Sequence, residues 1–216
     1  MSTRPEMVLF DCDGVLVDSE PLTAQVLIAN LSRHGLIITP DELSDFFLGG
    51  TIMGVAQKAR ELGARLSESW VDDVYAEIFD VLEREVEIIP GVSDVLDALD
   101  TAGIVYAVGS NGPRRKMEIT LTRCGLSERL KGRVYSRQDV ARPKPAPDVY
   151  LAAAQAAGVA PARCVVIEDS PNGAKAGVAA GMTTFGFAAH TDPARLRPIC
   201  DEVFEHMDQL PGLLRL

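Results

Sequence analysis

Short apolar runs recur along the chain, and each is followed by glycine, aspartate, serine or asparagine. The runs are nearly continuous rather than alternating, which is typical of strands covered on both faces in a parallel sheet. We therefore predict strands at residues 7–10, 104–108, 133–135, 164–167 and 183–187.

Segments with helical spacing lie between these strands. Val92, Val95 and Leu99 share one helical face, and glycines follow this segment and two alanine-rich segments further along the chain. A glycine just past the last helical turn is a common helix stop. Alternating strands and helices predict an α/β fold, a three-layer sandwich with a Rossmann-like parallel sheet and right-handed crossovers.

Residues 20–86 have a different pattern, with no convincing strand. Trp70, Val74, Ile78 and Leu82 recur every four residues, as on one face of a helix. We predict an all-helical cap domain at 18–87, inserted into an α/β core domain formed by 1–17 and 88–216. The cap could open and close as a lid, or it could be a rigid lobe.

The composition narrows the range of partners. With 21 basic and 31 acidic residues the formal charge is −10, which disfavours nucleic acid and anionic membranes but allows a small anionic substrate. No apolar run approaches the roughly 18 residues of a membrane helix, and no signal peptide is evident. The four cysteines are far apart, which suits reduced thiols. We expect a cytoplasmic monomer.

Polar residues follow four of the predicted strands. In an open parallel sheet, ligands bind outside the carboxyl ends of the strands, so these residues are expected to converge there. They are Asp11 and Asp13, Ser110, Asn111 and Gly112, Lys144, and Glu168, Asp169 and Ser170.

The chemistry of this group points to a metal and a phosphoryl group. Up to four carboxylates cannot all be ionised together without a counter-ion, and a hard cation that prefers oxygen, Mg²⁺ above all, fits them. Lys144 adds a positive charge, and Ser110 with the amides near Gly112 adds neutral donors. Together these groups form a phosphoryl-binding set.

Four segments in this order, FDCDGVLVDS, SNG, RPKPAPD and IEDSPNG, resemble the motifs of the haloacid dehalogenase superfamily. The helical insert resembles the cap of its β-phosphoglucomutase and sugar-phosphatase branch. The resemblance implies that Asp11 is the nucleophile that becomes an aspartyl phosphate, and that Asp13 is the general acid and base. It also implies that Ser110 and Lys144 hold the phosphoryl oxygens, with help from the amides near Asn111.

The resemblance also implies the metal site. Asp11, the backbone carbonyl of Asp13, and Asp169 would hold Mg²⁺, and Glu168 would bind it directly or through water. Ser170 and Asn172 lie in the same loop and would orient the groups on the metal-binding side of the site.

Family differences favour hydrolysis of a phosphomonoester. Dehalogenases usually lack a residue like Asp13, and Lys58 is the sole lysine in the insert that could serve a phosphonate-cleaving relative. Mutases carry a histidine where this chain has Thr23 and a cap-loop cation where it has Met53. A mutase remains the alternative, and a phospho-acceptor signalling module is disfavoured by the large insert and by Asp13.

The substrate is expected to be a small phosphorylated metabolite. Residues 48–51, including Gly49 and Gly50, and also Glu20 are candidates for substrate contacts. Glu20 could equally be an acid in the first turn of a helix, where it favours the dipole.

Overall fold

The computed structural model describes residues 4–47 and 51–216. Residue contacts divide the chain into two compact units, Met1–Asp18 with Glu87–Leu216, and Ser19–Val86. Each boundary lies one residue from the sequence-based estimate. The two parts of the first unit meet at their ends, where the Asp18 amide donates to the Glu87 carbonyl over 2.9 Å.

The first unit is built on a six-stranded parallel sheet of order β3-β2-β1-β4-β5-β6. The central strand β1 pairs with β2 on one side and β4 on the other, so that Leu9 lies between Ala107 and Val166. The strands are β1 Met7–Phe10, β2 Val105–Ser110, β3 Val134–Ser136, β4 Cys164–Glu168, β5 Thr183–Phe187 and β6 Glu202–Phe204.

Helices cover both faces of this sheet. Met7 and Leu9 pack in a cluster with Val149 and Ala153, and because side chains alternate along a strand, the equally buried Val8 and Phe10 face the other side. The helices of this unit are α5 Val92–Thr101, α6 Arg114–Arg123, α7 Asp148–Ala157, α8 Pro171–Ala179, α9 Pro193–Leu196 and α10 Leu210–Leu214.

The second unit contains helices and no strand among its described residues. Its core forms where α1 packs on α4, and the Trp70 indole N–H donates to the Asn30 amide oxygen over 2.7 Å. The spacing of Trp70, Val74 and Ile78 therefore marks the buried face of α4, as predicted. The helices are α1 Glu20–Arg33, α2 Pro40–Phe47, α3 Ile52–Glu61 and α4 Trp70–Glu85.

The predicted α/β fold is confirmed, with one strand more than expected. β6 was missed because its three residues include a charged and a half-buried side chain, which give no apolar run. The other strands agree with the sequence-based bounds to within two residues. In the part of the chain that is described, no helix is long and apolar enough to cross a membrane.

Candidate active site

The carboxyl ends of β1, β2 and β4 bring charged residues together inside the protein. Asp11 directly follows β1, while Ser110 and Glu168 are the last residues of β2 and β4. Because β1 lies between the other two strands, these three side chains meet at one edge of the sheet. As whole residues Asp11 is 8% exposed and Glu168 1% exposed, which is unusual for acidic groups.

Lys144 bridges two of the acidic residues. Its Nζ donates to Asp11 Oδ1 over 2.5 Å and to Glu168 Oε1 over 2.6 Å, and its side chain is only 3% exposed. The ammonium also lies 4.6 Å from the centre of the Tyr150 ring. The sequence predicted that these residues converge, and the structure brings them into direct contact.

Burial changes the pKa of both members of the Lys144–Asp11 pair. Desolvation raises the pKa of Asp11 to about 7, because the nearby Lys144 only partly offsets burial while Glu168 and Asp13 add to it. Burial disfavours the Lys144 ammonium, but the carboxylates of Asp11 and Glu168 outweigh it and raise the lysine pKa above its ordinary value. The lysine is therefore charged at neutral pH.

Glu168 is fully occupied by protein donors. Its Oε1 accepts from Lys144 and from the Tyr150 hydroxyl, the latter over 2.7 Å. Its Oε2 accepts from the Ser170 amide over 3.2 Å and from the Ser170 hydroxyl over 3.0 Å. A carboxylate has about four lone-pair sites, and here all of them are used.

Asn111 holds the backbone of Lys144 in place. Its side-chain Nδ2 donates to the Lys144 carbonyl over 3.0 Å, and its Oδ1 accepts from the Lys144 amide over 2.8 Å. The Ser110 hydroxyl accepts from the Gly112 amide over 2.9 Å, which leaves its O–H bond as a donor. The side-chain amide of Asn111 thus has a structural task that the sequence did not reveal.

Asp13 pairs with Lys116, a residue that the sequence analysis did not select. Lys116 Nζ lies 2.8 Å from Asp13 Oδ1, and the two side chains are 13% and 17% exposed. A signal was present in the sequence, because the first turn of α6 contains Arg114, Arg115 and Lys116 and no acid. Cations at a helix N-terminus oppose the helix dipole, so such a turn needs partners from elsewhere.

The donor chemistry around Gly14 fits a hard cation. Gly14 has a φ of +76°, and a Cβ there would stand 2.2 Å from Asp169 Oδ2, so the Asp169 carboxylate packs against the loop that follows Asp13. Aspartate oxygens and main-chain carbonyls are ligands that Mg²⁺ prefers. Within 4–47 and 51–216, no three His, Cys, Asp or Glu side chains form a metal-binding group, so a site here needs main-chain or other oxygen donors as well.

The remaining candidate residues lie elsewhere. Glu20 is the first residue of α1, in the second unit. Gly49 and Gly50 lie outside the described residues. Ser170 caps α8 by accepting from the Gly173 amide over 3.1 Å, while it also donates to Glu168.

Comparisons with known proteins identify related chains. The family model of haloacid dehalogenase-like hydrolases matches residues 5–181. The chain is 33% identical over 215 residues to 6-phosphogluconate phosphatase from Escherichia coli, covering 98% of this chain and 95% of that protein. It is 32% identical over 206 residues to hexitol phosphatase A from the same organism, covering 94% and 91%.

A solved structure is similar over nearly the whole chain. It is a HAD family hydrolase from Deinococcus radiodurans with bound phosphate and sodium, 35% identical, with a TM-score of 0.81, covering 98% of this chain and 95% of that one. The family resemblance, the fold and the expectation of an enzyme are thereby confirmed. The protein belongs to the haloacid dehalogenase-like hydrolase family.

Proposed function

We propose that this enzyme is a Mg²⁺-dependent phosphatase that hydrolyses small phosphorylated sugars or related organic phosphates through an aspartyl phosphate. The observation that carries the proposal is the buried Asp11 carboxylate, with Oδ1 held 2.5 Å from Lys144 Nζ. The two relatives with phosphatase names, each about one third identical over nearly the whole chain, support the same class of reaction.

Asp11 would act as the nucleophile. A carboxylate oxygen of Asp11 forms a bond to phosphorus while the bond from phosphorus to the alcohol oxygen breaks. Asp13 donates its proton to that leaving oxygen. In the second half, Asp13 takes a proton from water as the water oxygen bonds to phosphorus and the bond from phosphorus to the Asp11 oxygen breaks, which releases inorganic phosphate and restores the Asp11 carboxylate.

Lys144 and Ser110 would bind the transferred group. Lys144 supplies a buried positive charge against the phosphoryl oxygens, and the Ser110 hydroxyl donates to one of them. The amides of the loop at Asn111 and Gly112 are further donors. Asn111 also acts through its side chain, because its two hydrogen bonds place the Lys144 backbone.

Asp11, the carbonyl oxygen of Asp13, and Asp169 would hold Mg²⁺. When bound, the ion would neutralise the carboxylates and the developing charge on the phosphoryl oxygens. Glu168, which the sequence left open as a direct or water-mediated ligand, would not bind the ion directly, because Lys144, Tyr150 and Ser170 already use its acceptor sites. Its proposed task is to hold Lys144.

The cellular setting is part of the proposal. All four cysteines are free, which suits the reducing cytoplasm, and we propose a monomer that acts on a soluble phosphorylated metabolite. A mutase remains the alternative. Thr23, at the position of the mutase histidine, donates its hydroxyl to the Ser19 carbonyl over 2.8 Å within its own helix.

Phosphate release over a panel of substrates tests the proposal. The panel would contain 6-phosphogluconate, hexitol phosphates, 2-phosphoglycolate and β-glucose 1-phosphate, with Mg²⁺ or with EDTA. We expect Mg²⁺-dependent release of phosphate that Asp11→Asn abolishes and that the exposed control Asp208→Asn leaves unchanged. Conversion of β-glucose 1-phosphate to glucose 6-phosphate with little free phosphate would instead establish a mutase.

A further inference from the structure

Lys116 is much less exposed to solvent than the other two cations in the first turn of α6. Arg114 pairs with Asp139 and Arg115 lies 3.8 Å from Glu118, and these two arginine side chains are 49% and 66% exposed. The Lys116 side chain is only 13% exposed. A largely buried ammonium loses hydration, so its place in the protein depends on the carboxylate that it meets.

The carboxylate that Lys116 meets belongs to Asp13. The 2.8 Å contact uses Asp13 Oδ1, and it joins the first turn of α6 to the loop after β1. Gly112 lies close to the other oxygen, because a Cβ there would stand 3.3 Å from Asp13 Oδ2 and 3.2 Å from Ser110 Oγ. The Asp13 carboxylate thus has the Lys116 ammonium at Oδ1 and lies close to Gly112 at Oδ2.

Lys116 and Lys144 contact different carboxylates. Lys144 Nζ contacts Asp11 and Glu168, whereas Lys116 Nζ contacts Asp13. In the reaction proposed above, Asp11 meets phosphorus and Asp13 meets the leaving oxygen. In that reaction the two lysines would lie beside the groups that act on the two ends of the bond that breaks.

We propose that Lys116 is a positioning residue that holds the Asp13 carboxyl in the orientation for proton transfer to the leaving alcohol. This inference rests on the proposed function. It also explains a basic first helical turn that local helix preferences disfavour, since departures from such preferences concentrate at functional sites. The ammonium fixes Oδ1, and Oδ2 is the oxygen that exchanges the proton.

Leaving-group dependence tests this role. An alcohol that is a good leaving group needs little protonation, whereas a poor one depends on the acid. We would measure kcat/KM, which covers the steps through alcohol release, for aryl phosphates ranging from 4-nitrophenyl to 4-methoxyphenyl. The variants are Lys116→Met, Lys116→Arg and the neighbouring control Arg115→Met, all with Mg²⁺.

We expect Lys116→Met to lose about 10- to 100-fold on the poorest leaving group and less than about 3-fold on 4-nitrophenyl phosphate, within the range of general acid catalysis. Lys116→Arg should recover most of the loss, and Arg115→Met should match the wild type. Asp13→Asn should show the same steepened dependence, and adding Lys116→Met to it should cost little more, because the two residues act as a unit.

Two results would overturn the inference. An equal loss on every leaving group would mean that Lys116 binds the phosphoryl group or supports the fold, and an unchanged Lys116→Met enzyme would mean that it has no role. Thermal unfolding of each variant checks that the fold is intact. If the wild type releases phosphate from none of these esters or from the sugar phosphate panel, the proposed function itself fails.

Discussion

The two ends of the parallel sheet both contain ion pairs between basic and acidic side chains, but the pairs differ in their exposure to solvent. At the amino end, Arg163 pairs with Glu6 over 2.7 Å, and both side chains are about half exposed. At the carboxyl end, the Lys144, Asp11 and Glu168 side chains are 3%, 11% and 1% exposed. Exposed pairs contribute little either way, whereas buried charges cost desolvation energy that their contacts must offset.

This difference shows that the desolvation energy of buried charges is concentrated at the carboxyl end of the sheet. A protein selected only for stability would not bury carboxylates beside one another, and the raised pKa of Asp11 reflects their burial and mutual repulsion. Such buried, perturbed groups are typical of catalytic sites. The comparison therefore predicts that changes at the carboxyl end alter activity most, whereas changes at the amino end alter mainly stability.

The largest contrast is expected between two cations. Lys144→Met should lower kcat/KM by about 1,000-fold, because it removes the buried charge that we propose binds the phosphoryl group. Arg129→Met at the amino end removes the donor to the Tyr106 hydroxyl and the ion pair with Asp97. It should cost about 1–2 kcal/mol of unfolding free energy and leave kcat/KM unchanged.

Steady-state kinetics and urea unfolding of both variants check this contrast. A Lys144→Met enzyme with near-normal kcat/KM would contradict the role of the buried cation. An Arg129→Met enzyme that unfolds normally but loses activity would contradict the division between the two ends.

A smaller contrast is expected between two helical glycines. In a helix, alanine usually stabilises by about 1 kcal/mol relative to glycine. A Cβ at Gly173 in α8 would stand 1.7 Å from Glu168 Oε1, so Gly173→Ala must displace the carboxylate that holds Lys144. We expect a loss of about 100-fold in activity together with reduced stability.

Gly212 in α10 is the matched control. Nothing lies within 4 Å of a Cβ built there, so Gly212→Ala should be neutral or slightly stabilising, with full activity. Melting temperatures and kcat/KM of the two variants give the comparison. Equal melting temperatures and activities would show that Glu168 can move at little cost.

The last effect changes stability alone and is a pH dependence in the metal-free protein. The pKa of Asp11 is about 7 when folded, against an ordinary 3.8, so the folded state binds the extra proton between these values. Stability from this group is present below about pH 4 and is lost as the pH rises to about 7, by up to about 1.4 kcal/mol per pH unit.

Urea unfolding in EDTA, for the wild type and for Asp11→Asn, isolates this dependence. Between pH 5 and 7 the wild type should lose stability relative to the variant, and above pH 8 the two curves should run parallel. A difference that stays constant over the whole range would show that Asp11 is ionised throughout.

The sequence was most informative where chemistry follows directly from a strand. Asp11 stands one residue after a fully buried apolar run, so its place at the sheet edge followed from the pattern. Lys144 reaches the same edge from an irregular loop, and its convergence was predicted from its place after the third strand rather than from periodicity. The family resemblance supplied the proposed roles, and the sheet supplied the meeting point.

The sequence was least informative where a side chain does two things. Tyr150 lies on the buried face of α7 and looks like an ordinary core residue, yet its hydroxyl donates to Glu168 and its ring faces Lys144. The task of Asn111 depends on how closely two loops approach, which no spacing reveals. Lys116 was visible only as one of three unfavourable cations, and its partner became evident in three dimensions.

The central claim is that Asp11 carries the phosphoryl group. Rapid quenching of the enzyme during turnover with Mg²⁺ and its best substrate, followed by borohydride reduction, converts an aspartyl phosphate to homoserine, which peptide mass spectrometry can locate. We predict homoserine at position 11, and none without substrate or in Asp11→Asn. Full turnover with homoserine at another aspartate, or with no reducible intermediate at all, would contradict the account.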